Sequence, residues 1–213
     1  MSWRDTSPTQ KIIAVQSYIM TQKLNTYLKE NAGVTDQQLE EISDKLQFRT
    51  FQKGEFALRE GQVCHHIFYV EEGLLRQYSI DHLGKEHIIQ FANERWFISD
   101  RSSLFFNQPS DFFIDAVEDT KVVMLDTDFF SALSDISPQF RRYNEYILQN
   151  HIRQLQNRVH LLISASAEAR YLDFIRLYPD LIQRVPQWMI ASYLGITPES
   201  LSRVRKELTK NKE

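Results

Sequence analysis

Val185-Pro-Gln-Trp-Met-Ile-Ala-Ser-Tyr-Leu-Gly-Ile-Thr-Pro-Glu-Ser-Leu-Ser-Arg-Val-Arg-Lys-Glu-Leu208 is the stretch on which the reading of the whole chain turns. Gly195 can take the left-handed conformation that ends one helix, while Thr197 suits an N-cap and Pro198 the first position of the next. The spacing predicts a helix-turn-helix. Ile190, Ala191 and Leu194 fall on one face of the first helix, and Leu201, Val204 and Leu208 on one face of the second. Glu199, Ser202, Arg203 and Lys206 are then left outside. Two helices this short bury too little apolar surface to stand alone, so support is sought upstream.

Ala169, Leu172, Phe174 and Ile175 predict a supporting helix over about 167–177, closed by Tyr178-Pro179. Before it, Ser137-Pro138 reads as an N-cap and first helical residue, and neither Gly nor Pro follows until Pro179. Within that span Leu148, Ile152, Leu155, Val159 and Leu162 step by four and three residues, the pattern of a heptad seam. Arg141, Arg142, Glu145, Arg153 and Arg158 flank it. A single apolar stripe on a long charged helix needs a partner. It could pack on the strands of its own chain, but pairing with a second copy about a two-fold axis is the favoured expectation.

From Phe48 to about Asp126 short β-rich runs alternate with Gly, Asn and Asp. Candidate strands are Phe48–Phe51, Glu55–Arg59, His66–Val70, Leu74–Ile80, Lys85–Phe91, Trp96–Ile98, Phe112–Ala116 and Lys121–Asp126, with a short helix at about 127–133. No helix-length segment separates them, which excludes an α/β plan and predicts a β-roll or barrel. Two helices precede it. One runs from Pro8 to about Lys29 with Ile12, Val15, Ile19 and Tyr27, and is stopped by Asn31-Ala-Gly33. The second opens at Thr35, with Leu39, Ile42 and Leu46 as its stripe. The fold class is α+β: an N-terminal helical extension (1–34), a β-roll (35–136), a long dimerisation helix (137–164) and a helix-turn-helix domain (165–213).

Composition bounds the function. Of 213 residues 42% are apolar and the net charge is −3, ordinary for globular domains. No apolar run is long enough to span a bilayer and no signal core follows the N-terminus, so a cytoplasmic protein without membrane contact is expected. Cys64 is the only cysteine, which excludes an internal disulfide and any cluster or zinc site built on several thiolates; it is expected in a half-buried strand. The mildly acidic total disfavours nucleic acid, but the charge is uneven. Arg203, Arg205, Lys206, Lys210 and Lys212 gather at the C-terminus, and a local basic surface is enough for phosphate contact.

In order and spacing the chain resembles the cyclic-AMP-receptor/Fnr family of bacterial transcription regulators. The motifs are Glu55-Phe-Ala-Leu-Arg-Glu-Gly61 with Ile67-Phe-Tyr-Val-Glu-Glu-Gly73, and Gly195-Ile-Thr-Pro-Glu-Ser-Leu-Ser-Arg203; the resemblance runs from about Thr35 to Leu208. It implies a cyclic-nucleotide-binding-like roll, a homodimer on palindromic double-stranded DNA, and RNA polymerase as a partner. In the family's phosphate cassette a Gly-Glu pair holds the ribose and an Arg-Ser or Arg-Thr pair neutralises the phosphate. Here Ser99-Asp100 and Ser110-Asp111 stand at those places. A carboxylate in place of a guanidinium repels an anion, so no tight cyclic-nucleotide binding is expected. Arg101 is a weak substitute, being expected on a strand. An unknown small-molecule effector is left open, with Phe97, Phe105, Phe106, Phe112 and Phe113 as pocket lining or as plain core. The Fnr-type oxygen sensor needs a cysteine set that this chain lacks, and no cofactor is expected.

On the second helix of the motif, Glu199, Ser202 and Arg203 recur at the i, i+3, i+4 spacing of a groove-facing surface. Glutamate can accept from cytosine N4, arginine can grip guanine O6 and N7, and serine suits a base edge or a phosphate. The Glu-x-x-Ser-Arg pattern resembles the Fnr-type branch and implies a half-site with a TTGA-like core. Pro198 stands where the cyclic-AMP-receptor branch often has an arginine. Thr197, Arg205, Lys206 and Gln187 are candidate phosphate contacts. Only Thr-Lys-Asn-Lys-Glu213 follows Leu208, too short for the family's β-hairpin wing, so the helix and the dimer are expected to carry affinity. Two other readings are an interaction adaptor with a vestigial reader and a β-barrel metal enzyme. The enzyme is disfavoured because His65 and His66 are adjacent in sequence and no His-x-His pair exists.

Overall fold

The computed structural model describes residues 22–210. Helix α1 (Gln22–Ala32) ends before Gly33, as expected, while the part of that helix read over Ile12, Val15 and Ile19 lies outside the described residues. Helix α2 (Asp36–Glu41) opens with a full capping box: the Thr35 hydroxyl accepts from Gln38 N and the Gln38 side chain accepts from Thr35 N. The expected continuation to Leu46 does not form. The chain turns at Ile42 into a short 3₁₀ segment, Ser43–Lys45, yet Leu39 and Ile42 are still buried.

All eight expected strands form: β1 (Gln47–Phe51), β2 (Phe56–Leu58), β3 (Ile67–Glu72), β4 (Leu75–Ile80), β5 (Glu86–Ala92), β6 (Phe97–Ile98), β7 (Phe113–Ala116) and β8 (Thr120–Leu125). They make two four-stranded sheets, ordered β1-β8-β3-β6 and β2-β7-β4-β5. In the first sheet β8 pairs antiparallel with both β1 and β3. Alternation along these strands builds two cores. Tyr69, Val123 and Leu125 join Leu24, Leu28, Phe129, Leu133 and Phe140 on the helical side. Phe68, Val70 and Val122 join Phe51, Leu75, Ile98 and Ile114 inside the roll. Gly73 is obligatory at its turn, because its φ is 100° and an added Cβ would lie 2.6 Å from Asp119 O.

Helix α3 (Arg101–Phe106) was not legible from periodicity and moves Arg101 from the expected strand to a first helical turn. Its cause is local: the Asp100 carboxylate accepts from Ser103 N, and Asn107 closes the helix in the left-handed conformation. Cys64, expected half-buried on a strand, is fully buried and lies in a loop between strands. Helix α4 (Thr127–Ile136) follows, and then α5 (Pro138–Ser164), with the Ser137 hydroxyl accepting from Phe140 N.

The chain forms two compact units, one up to Gln77 with Phe91–Glu145, the other Tyr78–Gln90 with Tyr146 onward. The second contains the tip of the β4–β5 hairpin, most of α5, and helices α6 (Ala167–Leu177), α7 (Leu181–Arg184), α8 (Gln187–Leu194) and α9 (Pro198–Lys210). Its centre is aromatic: the Phe174, Tyr178 and Tyr193 rings lie 5.3–5.8 Å apart. Leu181, Ile190, Leu194 and Leu201 are buried with them.

Candidate nucleic-acid interface

Helices α8 and α9 form the expected helix-turn-helix. Gly195 sits between them at φ 65°, donating to Ala191 O and Ser192 O. The Thr197 hydroxyl accepts from Ser200 N and caps α9. Leu201 and Val204 are buried and Leu208 is half-buried, so the opposite face is free of the core. On that face Glu199, Ser202, Arg203 and Lys206 are all exposed. Gln187 and Thr197 are exposed as well, whereas Arg205 is half-buried at the margin. The carboxyl of Glu199 is held below the usual glutamate range, first by a bond to its own backbone N–H, then by the Thr197 hydroxyl, with Arg203 adding to the effect. An ionised acceptor and a guanidinium thus share one end of the helix.

The carbonyls at the C-terminal end of α8 are all satisfied, two of them from a distance. Ala191 O accepts from Ile196 N, and Ser192 O from Gly195 N. Tyr193 O accepts from Arg158 of α5 at 3.0 Å, and Leu194 O from Arg170 of α6 at 2.8 Å. The Arg158 guanidinium also stands 3.7 Å from the centroid of the Tyr193 ring. Sequence reading placed Arg158 only as a charged flank of the seam and did not single out Arg170. Nothing local marks them, because each works on a helix remote in the chain.

The seam residues of α5 lie open. Leu148, Ile152, Leu155, Val159 and Leu162 are 39–55% exposed, and Ile152, Leu155 and Val159 line a shallow groove with Gln156 and His160. In α5 only Phe140 is buried among the described residues.

The cassette residues are drawn into bonds with one another. Asp100 is buried, and its carboxylate accepts from Ser103 N at 3.2 Å and from the Ser110 hydroxyl at 2.7 Å. Ser110 also accepts from Phe112 N. The Ser103 hydroxyl accepts from Cys64 N and donates to Gln108 O. Ser99 is half-buried and Asp111 is exposed. The carboxylate inside is therefore Asp100, and Asp111 does not face the roll interior as its place in the motif suggested. Arg76 is buried in a bidentate pair with Asp115 at 2.7 and 2.9 Å. Arg101 lies over Phe105, 4.9 Å from the ring centroid.

The five phenylalanines do not form one pocket. Phe97 packs with Tyr27 and Tyr69, Phe113 meets Phe56 edge-on, Phe112 is half-buried, and Phe105 and Phe106 are exposed. Among the described residues no three His, Cys, Asp or Glu side chains gather as metal ligands, and no helix is long and apolar enough to cross a membrane.

Comparison with known proteins agrees with this architecture. Residues 48–136 match the model of the cyclic nucleotide-binding domain. The chain is 24% identical over 83% of its length to the anaerobic regulatory protein of Pasteurella multocida, covering 68% of that protein. It is 28% identical over 76% of its length to the transcriptional activator protein FnrA of Stutzerimonas stutzeri, covering 70% of it. Among solved structures, FixK2 from Bradyrhizobium japonicum superposes with a TM-score of 0.64 at 20% identity, over 78% of this chain and 85% of that one. The Thermus thermophilus catabolite activator protein does so with a TM-score of 0.52 at 20% identity, over 84% and 85%. These relatives are regulators, not enzymes; residues 48–136 match a cyclic nucleotide-binding domain, and in its order of roll, long helix and helix-turn-helix the chain is similar to regulators of the cyclic-AMP-receptor/Fnr family.

Proposed function

We propose that the protein is a sequence-specific, DNA-binding transcription regulator that works as a homodimer on a palindromic site. The observation that carries this reading is the single exposed face of α9, where Glu199, Ser202, Arg203 and Lys206 stand together opposite a buried Leu201 and Val204. Glu199 and Arg203 supply the acceptor for cytosine and the fork for guanine, and Ser202 lies between them. Thr197, Arg205, Lys206 and Gln187 surround them as phosphate contacts that fix register.

The α5 seam supplies the two-fold axis. Pairing of Leu148, Ile152, Leu155, Val159 and Leu162 with the same residues of a second copy buries the open stripe and presents two readers to two half-sites. RNA polymerase is the further partner of such a regulator.

The effector is not a cyclic nucleotide. The Ser110 hydroxyl is already bonded to Asp100, and the buried guanidinium of Arg76 is already bonded to Asp115, so neither of these two buried donors is uncommitted toward an anion. Selection from a random-sequence duplex pool tests the reading. Enrichment of a palindrome with half-sites about one helical turn apart supports it. No enrichment would favour an adaptor with a vestigial reader.

A further inference from the structure

Strand β5 ends the sheet order β2-β7-β4-β5, so among the described residues one side of it has no strand partner. An open strand edge presents N–H and C=O groups that must be met by something else. In the second compact unit they are met by helices. Ser192, in the last turn of α8, accepts at its hydroxyl oxygen from Ile88 N at 3.0 Å and donates to Glu86 O at 2.9 Å. Arg158 of α5 donates to Ile88 O at 3.3 Å and to Tyr193 O at 3.0 Å through the same terminal nitrogen.

The geometry is that of a ladder completed by a side chain. One residue of a neighbouring parallel strand would give its N–H to Glu86 O and take the N–H of Ile88 on its own carbonyl. The Ser192 hydroxyl does both with one atom. A serine inside a helix ordinarily turns its hydroxyl back to its own helix. Here the hydroxyl reaches outward, to residues 104 and 106 positions away in the chain. Arg158 adds the third bond on the same edge and stacks on the residue that follows Ser192, so strand, long helix and first reader helix meet at two side chains.

We propose that Ser192 and Arg158 form a clasp that makes the tip of the β4–β5 hairpin and the first reader helix a single moving body. They are positioning residues: they touch no DNA, but whatever displaces the hairpin displaces α8, and α9 follows through the Gly195 turn. The clasp stands on the strand edge alone and does not depend on the DNA reading.

Amide hydrogen exchange on the full-length protein without DNA tests it, with Ser192→Ala and Arg158→Lys compared to wild type. Ser192→Ala should speed exchange at Ile88 by about fivefold, the factor of one neutral hydrogen bond. Exchange across 187–194 should rise with it, while β3 and β8 stay unchanged. Alanine favours a helix more than serine does, so loss of α8 itself is not the expected cause. Arg158→Lys keeps the charge but loses the flat guanidinium over the Tyr193 ring and the terminal nitrogen that reaches both Ile88 O and Tyr193 O, and should speed exchange in the same two segments. Exchange at Ile88 within twofold of wild type in both variants would overturn the clasp. So would faster exchange of the hairpin with 187–194 unaltered, since that would show the two moving apart. If DNA selection enriches no palindrome, the reader assignment falls and the exchange result still decides the clasp.

Discussion

Arg203 and Lys206 lie on the same exposed face of α9, yet they should fail differently when removed. A guanidinium that forks onto a guanine is specific to one base pair, whereas an ammonium on a phosphate is indifferent to sequence. Arg203→Ala should cost about 1–3 kcal/mol on the selected site and relax one base position, while Lys206→Ala weakens every sequence alike and lowers the salt slope by about one. Equal losses on selected and random duplexes for both variants, in a titration at fixed salt, would refute the assignment. Glu71 is a residue whose effect is on stability. It is buried on β3 and accepts from Lys23 N and Leu24 N at the start of α1, but burial outweighs these bonds and raises its carboxyl above the usual range. A raised carboxyl binds its proton more readily folded than unfolded, so the folded state loses stability as pH rises from the ordinary glutamate value through the raised one. Glu71→Gln should remove that slope. Denaturant melts of both proteins between about pH 4 and 7, compared as a difference, test this; a wild-type curve that rises relative to the variant over that window would contradict the sign.

Among the elements, α5 carries the clearest demand for a partner. Its seam residues are 39–55% exposed in one chain, and a heptad stripe buried between two copies is the arrangement that relieves this. Leu155→Glu puts a charge at the middle of the stripe and should convert the proposed dimer to monomers in sedimentation at micromolar concentration, with the helical signal of each chain kept. A variant that still sediments as a dimer would place the interface elsewhere. The turn between α8 and α9 is sensitive in another way. Gly195 lies at φ 65°, and a Cβ there would come within 3.4 Å of both Arg170 and Leu162. Gly195→Ala should destabilise the helix-turn-helix by about 1–2 kcal/mol from the left-handed conformation alone. These elements were legible because their signals are local. Glycine and proline punctuate the strands, the period of the apolar residues marks α5, and Thr197-Pro198 marks a helix start. Helix α3 was missed because it lasts six residues and rests on an Asp100 cap rather than on an apolar stripe.

At the scale of the whole molecule, what the sequence could not disclose is how distant polar groups find one another. The place of Asp100 and Ser110 in the motif was readable, but their bond was not, since nothing in the order of residues says that a carboxylate and a hydroxyl ten positions apart will satisfy each other. The same holds for Arg76 with Asp115 and for Ser192 with the β5 edge. These bonds bear on what the roll can sense. To bind a cyclic phosphate it would have to break the Asp100–Ser110 bond, leave a buried carboxylate short of a partner, and set the ligand's charge near that carboxylate without a guanidinium to offset it. Each of these terms is unfavourable, and Ser110, Asp100 and Arg76 are already committed to other bonds. Titration calorimetry with cyclic AMP and with cyclic GMP should therefore show no binding at micromolar ligand. Replacing Asp100 by Asn removes the charge and keeps one oxygen, which can still accept from Ser103 N while the amide NH2 faces the Ser110 hydroxyl, so it tests whether repulsion alone keeps the nucleotide out. Because the guanidinium is still missing, Asp100→Asn should remain without micromolar affinity, and tight binding by either protein would show that the roll holds an anion by a route other than the family cassette.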